Sequence, residues 1–185
     1  MLLNILIAIV IAKIKSYKIK PLLKAYPLYP FYFVEIIYIA LQVCIFFDNY
    51  TFVKYAKLIN SVYMYTLIIP ILAYHLYKPG LIGSALILFG TFLNKFVMSQ
   101  NGGNMPVYPS FSKVTGYFNQ AAIQTADKIH ILGDENVRYK FLTDYIDIGT
   151  SILSIGDILI HSFITIVIYY TIKELNSNTL KEKDL

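Results

Sequence analysis

Charge is what this sequence has least of. Charged residues make up 15% of the 185 residues, against about 25% in a soluble domain. Hydrophobic residues make up 57%, and the mean hydropathy is +0.57. Most side chains have no need of water, which excludes an ordinary soluble domain and points to lipid as the solvent. Cysteine is nearly missing as well. Cys44 stands alone inside an apolar run, so an internal disulfide is excluded, no metal-ligand spacing surrounds it, and it reads as a small buried hydrophobe. The patterns of catalysis are also missing: no GxSxG, no P-loop, no HExxH, no calcium loop, and no cysteine beside a histidine. No cofactor is expected. Acidic residues are outnumbered 11 to 16, giving a net charge of +5. The lysines fall at the ends of apolar runs, which suits a membrane surface, and no nucleic-acid module is present, so no nucleic-acid partner is expected.

What is there is a series of apolar runs, and the expected fold is an all-α polytopic membrane helix bundle of about five transmembrane helices. The first run, residues 2–12, gives only about 16 Å of helix against a core of about 30 Å. Snorkelling of Lys13 and Lys15 lets a helix over 1–17 span. The run lacks the basic leader and small-residue cleavage site of a signal peptide. Lys13, Lys15, Lys18, Lys20 and Lys24 follow it, so the positive-inside rule places this loop in the cytoplasm and the N-terminus outside. Further spans are expected over 27–47, 58–77, 81–99 and 151–172, with Pro70 kinking the third and a turn at His75, Lys78, Pro79 and Gly80. Gly83, Gly90 and Asn94 share one helical face, which suits close helix packing. Residues 100–150 form an extramembrane segment at the outer face, in which Val114, Tyr117, Phe118, Ala121, Ala122 and Ile129 predict an amphipathic helix over 113–131. A polar cytoplasmic tail, frayed, follows over 173–185. Residues 1–172 make one domain, with no internal repeat.

Lipid offers no hydrogen bonds, so polar residues inside spans need protein partners or water. Ser154, Asp157, His161 and Thr165 form a polar stripe on the last span, with Asp157 about 10 Å below its outer end. The stripe is either a proton relay or ligand contact, or a clamp that fixes helix packing. Glu35 lies inside the second span, where it could pair with His161, Lys95 or water. Asn94 and Lys95 lead into Asn101-Gly102-Gly103-Asn104-Met105-Pro106-Val107. That glycine turn either aims amides at an anionic group or simply ends a helix. Asp127, His130, Asp134, Glu135, Asp144 and Asp147 are either metal donors or solvated surface charge, and their spacing fits no metal motif.

These residues carry a family resemblance. Asn101-Gly-Gly-Asn-Met-Pro-Val107, then His130, Leu142-Thr-Asp144 and Ser154-Ile-Gly-Asp157 resemble the pattern of the DUF5317 family, uncharacterised bacterial integral membrane proteins of similar length. The resemblance covers the whole chain. It implies that Asn101, Gly102, Gly103, Met105, Pro106, Val107, His130, Asp144, Ser154, Gly156 and Asp157 are signature positions, with Asn94 ahead of them, and that the protein sits in a bacterial plasma membrane. Two features depart from the pattern: the lysine-rich turn after the first span, where glycines are implied, and His161. The resemblance carries no activity. Convergence of the glycine turn, His130 and Asp157 into one polar site near the outer face is expected, with Asp157 accepting hydrogen bonds from the turn.

Three functions are compatible with these features. One is a non-enzymatic membrane protein that binds a ligand or partner through the outer segment, the partner being another membrane protein or a second copy. Another is a subunit of a small transporter or channel lined by Glu35, Asn94 and Asp157. The third is a membrane enzyme with Asp157 and His130 as acid–base groups.

Overall fold

The computed structural model of the protein describes residues 2–47, 49, 51–118 and 129–181. The helices are α1 (Leu2–Ile14), α2 (Tyr29–Phe46), α3 (Ala56–Thr66), α4 (Ile68–Ala73), α5 (Tyr77–Gln100), the single turn α6 (Phe111–Val114) and α7 (Ile155–Lys181). Four short strands accompany them: β1 (Met105–Val107), β2 (His130–Leu132), β3 (Ile146–Asp147) and β4 (Ile152–Leu153). The fold is therefore mostly helical, as the apolar runs require. Tyr26–Phe46, Tyr77–Gln100 and Ile155–Ser177 are long and apolar enough to cross a membrane. The other two runs are shorter. The 13 residues of α1 rise about 20 Å, less than a bilayer core of about 30 Å. The stretch Leu58–Ala73 is interrupted at Leu67, because Pro70 has no amide proton and its ring crowds the carbonyl of Thr66 one turn earlier.

The chain divides into two compact units. The first comprises Met1–Ile37, Leu58–Leu86 and His161–Leu185. Its core is aromatic and branched: Phe31 and Tyr63 stack with ring centres 4.7 Å apart, and Leu28, Leu67, Ile164, Ile168 and Ile172 are fully buried. Large apolar side chains such as Phe33, Ile36 and Leu81 point outward instead, the pattern of a surface that meets lipid. Helix α1 buries its small residues, Ala8 and Ala12. A methyl group built on Gly83 overlaps the Phe163 ring, so only glycine allows α5 to approach α7 there. Asn176 accepts from the Lys18 amide at 2.8 Å and donates to the Lys18 carbonyl at 3.0 Å, pinning the basic loop to α7. Accordingly α7 continues through residues 173–181, where a frayed tail was expected. The turn expected at 75–80 is tighter: His75 takes φ 53, while Lys78, Pro79 and Gly80 already belong to the first turn of α5, where proline costs little.

The second unit comprises Tyr38–Lys57 and Ile87–Ile160. Here α5 and α7 meet through glycine, since a methyl group on Gly90 overlaps the carbonyl oxygen of Gly156 and one on Gly156 overlaps Asn94. Beyond α5 the chain builds a small sheet. Strand β1 pairs in parallel with β2, Met105 opposite His130 and Val107 opposite Leu132, and Val107 bridges Asp144 on its other side. Strands β3 and β4 form an antiparallel pair. The helix expected over 113–131 does not extend to either described end. Gly116 turns the chain at φ 75 after the single turn of α6, the Phe118 amide bonds the Ser112 carbonyl at 3.0 Å, and His130–Leu132 is taken up by β1. The middle of that expected helix, 119–128 with Asp127, lies outside the described residues.

The close approach of α5 and α7 makes a prediction. Gly90→Ala forces a methyl group onto backbone, which cannot rotate away, and should destabilise the protein by about 1–3 kcal/mol. Thermal unfolding in detergent measures the loss, and an Ala variant as stable as the native chain would refute the packing.

Candidate functional site

The signature residues sort into three local arrangements. The first begins helix α7. Ser154 is fully buried and stands at the N-cap position. Its hydroxyl accepts from the Asp157 amide at 2.9 Å, and the Asp157 carboxylate accepts from the Ser154 amide at 3.0 Å. This is a capping box, which satisfies donors that a helix start leaves orphaned. Asn94 on α5 closes it: its side-chain amide donates to Asp157 Oδ1 at 2.9 Å, and its carbonyl accepts from the Ser154 hydroxyl at 2.8 Å. Only one orientation of the Asn94 amide serves both bonds. Gly156 makes the room, as any side chain there would strike Asn94. Asp157 therefore lies in the first turn of α7, not a third of the way into a span. The expected span began at 151, but Ile152 and Leu153 are strand β4 and the helix starts at Ile155. A carboxylate in a first helical turn is favoured by the helix dipole, so Asp157 is cheap where it stands.

The second arrangement is the exit from α5. Gly102 and Gly103 take φ 65 and 85, and the amides of Asn101 and Gly103 both bond the Met98 carbonyl, at 3.0 and 2.8 Å. The Asn104 amide bonds Asn101. These amides close the helix end, and the donors to Asp157 are Asn94 and Ser154 instead. Asn101 acts as a piece of backbone, donating to Arg138 O at 3.0 Å and accepting from Arg138 N at 3.0 Å.

The third arrangement is the sheet. Met105 and Val107 are buried. The Pro106 carbonyl accepts from the Asp144 amide at 3.1 Å, and the Tyr108 amide donates to the Asp144 carbonyl at 2.9 Å. His130 Nε2 lies 3.3 Å from the carboxylate of Asp144, which is buried. The His130 pair and the Asp157 clamp are thus separate arrangements, and no hydrogen bond among the described residues joins them. Glu35 is placed differently again. It is buried on α2, and among the described residues neither of its carboxylate oxygens has a hydrogen-bond donor, so neither His161 nor Lys95 bonds it. His161 is half-buried on α7.

Two features escaped sequence reasoning. Asp147 is a hydrogen-bonded knot. Its Oδ2 accepts from the Ser110 amide at 2.7 Å, the Ser112 amide at 2.8 Å and the Ser112 hydroxyl at 2.7 Å, and its Oδ1 accepts from the Gly149 amide at 2.9 Å. Burial pushes the Asp147 carboxyl up, but the bonds from Ser112, Gly149 and Ser110 together outweigh it and hold the group below its ordinary value. Asp147 also forms part of the wall of a cavity of about 560 Å³ with Tyr108, Ser110, Lys113, Gly133 and Tyr145. The volume suits a small molecule. Neither His130 nor Asp157 lines it. Among the described residues, no group of three or more His, Cys, Asp or Glu stands together as a metal donor set.

Residues 19–169 match the model of the Family of unknown function (DUF5317). The chain belongs to that family. No curated protein matches the chain, and no solved structure does. The DUF5317 match takes in the clamp, the glycine turn, the sheet and the cavity.

The clamp and the knot can be tested separately. Asn94→Leu strands the Ser154 hydroxyl and a carboxylate oxygen, and should destabilise the protein by about 1–3 kcal/mol. Combined with Ser154→Ala it should cost clearly less than the sum, because the two residues share partners; strict additivity in unfolding midpoints would dismiss the clamp. For Asp147 the sign follows from a lowered folded value. Its stabilisation is present above the ordinary aspartate range, about 4, and is lost as pH falls through the folded value. Amide exchange at Ser110, Ser112 and Gly149 should accelerate below that range and should be fast at all pH in Asp147→Asn.

Proposed function

We propose that this chain is an integral membrane protein without catalytic activity, whose segment after α5 holds a small ligand, or a group of a partner, in the cavity beside Asp147. The cavity is the observation that carries the reading. It is walled by two tyrosine rings, a serine and a lysine, the mix of apolar surface and a few placed polar groups that ligand sites use. The acid–base pair that an enzyme reading needs is engaged elsewhere: His130 faces Asp144, and Asp157 is bonded by Asn94 and Ser154. The bilayer is the protein's solvent, with five segments entering it, the first and third tilted or shallow. The five lysines between Lys13 and Lys24 support a cytoplasmic loop there, which puts the N-terminus and the cavity outside, in a bacterial plasma membrane.

Glu35 favours a second reading, a transporter or channel subunit. A buried carboxylate without donors among the described residues is costly in lipid and is retained where a cation or proton passes.

A native mass spectrum of the full chain released from its host's membranes tests the first reading. A retained small-molecule mass is expected, and Leu132→Trp, which fills the cavity, should remove it. A native chain that carries no added mass, or a mass that survives Leu132→Trp, would defeat the reading. For the second, liposomes holding the protein should conduct ions or protons, and Glu35→Gln should abolish the flux; tight liposomes sink it.

A further inference from the structure

The cavity's wall contains two charged side chains, and only one is available to a ligand. Asp147 is consumed: both of its oxygens already accept hydrogen bonds, three of them from backbone amides. Lys113 is placed differently. Among the described residues no carboxylate lies within ion-pair reach of it, and its ammonium stands 5.9 Å from the centre of the Phe118 ring. A second ammonium, that of Lys140, sits 4.3 Å over the centre of the Tyr108 ring. The wall therefore carries an ammonium that pairs with no described carboxylate, at Lys113, with a second ammonium, at Lys140, beside it.

The rest of the wall is aromatic and held in place. A methyl group on Gly133 would overlap the Tyr108 ring, so glycine there lets the ring lie flat against the backbone. The Tyr108 hydroxyl donates to the Asp134 carbonyl at 2.9 Å. Burial, and then the nearby Asp134, push that hydroxyl above its ordinary value, so Tyr108 offers a neutral ring face. Tyr145 stands edge-on to it with ring centres 6.3 Å apart. Phe111 and Val114, on the same turn as Lys113, are 54% and 81% exposed, so the surface beside the lysine is apolar.

We propose that the cavity takes an anionic group, phosphate or carboxylate, carried on an apolar body. The Lys113 ammonium holds the anion, and Tyr108 and Tyr145 hold the apolar part. A point charge on a flexible stem suits a tetrahedral or planar anion equally. This chemistry is found in a phospholipid headgroup and in a soluble anion. The headgroup is favoured by the exposed Phe111 and Val114, which would otherwise face water. This inference rests on the ligand-binding reading above.

The sequence has no tryptophan, so Tyr145→Trp gives a single indole in the wall. The full chain carrying this change, in discs of phosphatidylcholine, is titrated with dihexanoyl phosphatidylglycerol, dihexanoyl phosphatidylcholine and inorganic phosphate. Saturable change of emission with the anionic lipid, at least about tenfold tighter than with the zwitterionic one, is expected. Lys113→Gln should bring the two together, Lys113→Arg should keep most of the difference, and Lys78→Gln should leave it intact. Saturation by inorganic phosphate at a similar concentration would support the anion site and assign it to a soluble anion. Equal binding of both lipids that Leu132→Trp still blocks would overturn the anion inference while leaving the cavity as a binding site. Anion binding unchanged by Lys113→Gln, or no response to any probe, would overturn it as well, and an empty cavity in the native spectrum would remove the underlying reading too.

Discussion

Wherever two helices meet inside a membrane, their polar groups must be satisfied by protein, because lipid supplies no hydrogen bonds. The clamp of Asn94, Ser154 and Asp157 meets that constraint within a few ångströms, and the second unit depends on it. A helix start exposes amide protons that no intrahelical carbonyl takes. Ser154 and Asp157 take two of them from each other's backbone, and the donors and acceptors left over go to Asn94. None of this is possible unless α5 and α7 lie nearly backbone to backbone at that level, which Gly90 and Gly156 permit. The glycines and the polar triad are thus one device. Glycine lets the helices approach, and the triad makes the approach specific.

Past the clamp, the segment between α5 and α7 is organised by side chains that imitate backbone. Asn101 exchanges two hydrogen bonds with residue 138 as a strand neighbour would. Asp147 gathers the amides of Ser110, Ser112 and Gly149 at the start of α6. Strand β1 takes partners on both sides, β2 and the bridge at Asp144. Elements this short have little packing of their own, so their order comes from complete pairing of the backbone. The same pairings bring together the residues that wall the cavity.

The apolar runs made the three long helices and the helical class readable from sequence, and the seven- and four-residue spacing of Gly83, Gly90 and Asn94 made the packing face readable. The start of α7 was misplaced because Ile152 and Leu153 are apolar and look like helix, whereas a strand of two residues has no period to detect. The error mattered, since it put Asp157 deep in lipid and made a capping residue look costly. The Ser-x-x-Asp pattern that marks a capping box stands in the sequence at Ser154, and it locates the helix start correctly. Asp147 left a fainter trace. Asp-Ile-Gly149 suggests a local turn, but its other partners lie more than thirty residues away in sequence, and nothing in the spacing joins them. The cavity has no sequence signature, because it is the space between residues brought together by pairing.

The charges of the second unit follow from this accounting. Three carboxylates of the second unit are met there: Asp157 by Asn94 and the Ser154 amide, Asp147 by three amides and the hydroxyls of Ser110 and Ser112, and one oxygen of Asp144 by His130. A carboxylate so met is spent on structure, while a lysine that pairs with no carboxylate is not. Two of the basic residues, Lys113 and Lys140, therefore stand in and beside a cavity whose acidic wall residue is held by backbone amides. Glu35 is the converse case, a buried carboxylate that the described residues leave without donors. Glu35 stands on the long apolar helix α2, where lipid gives it no other solvent.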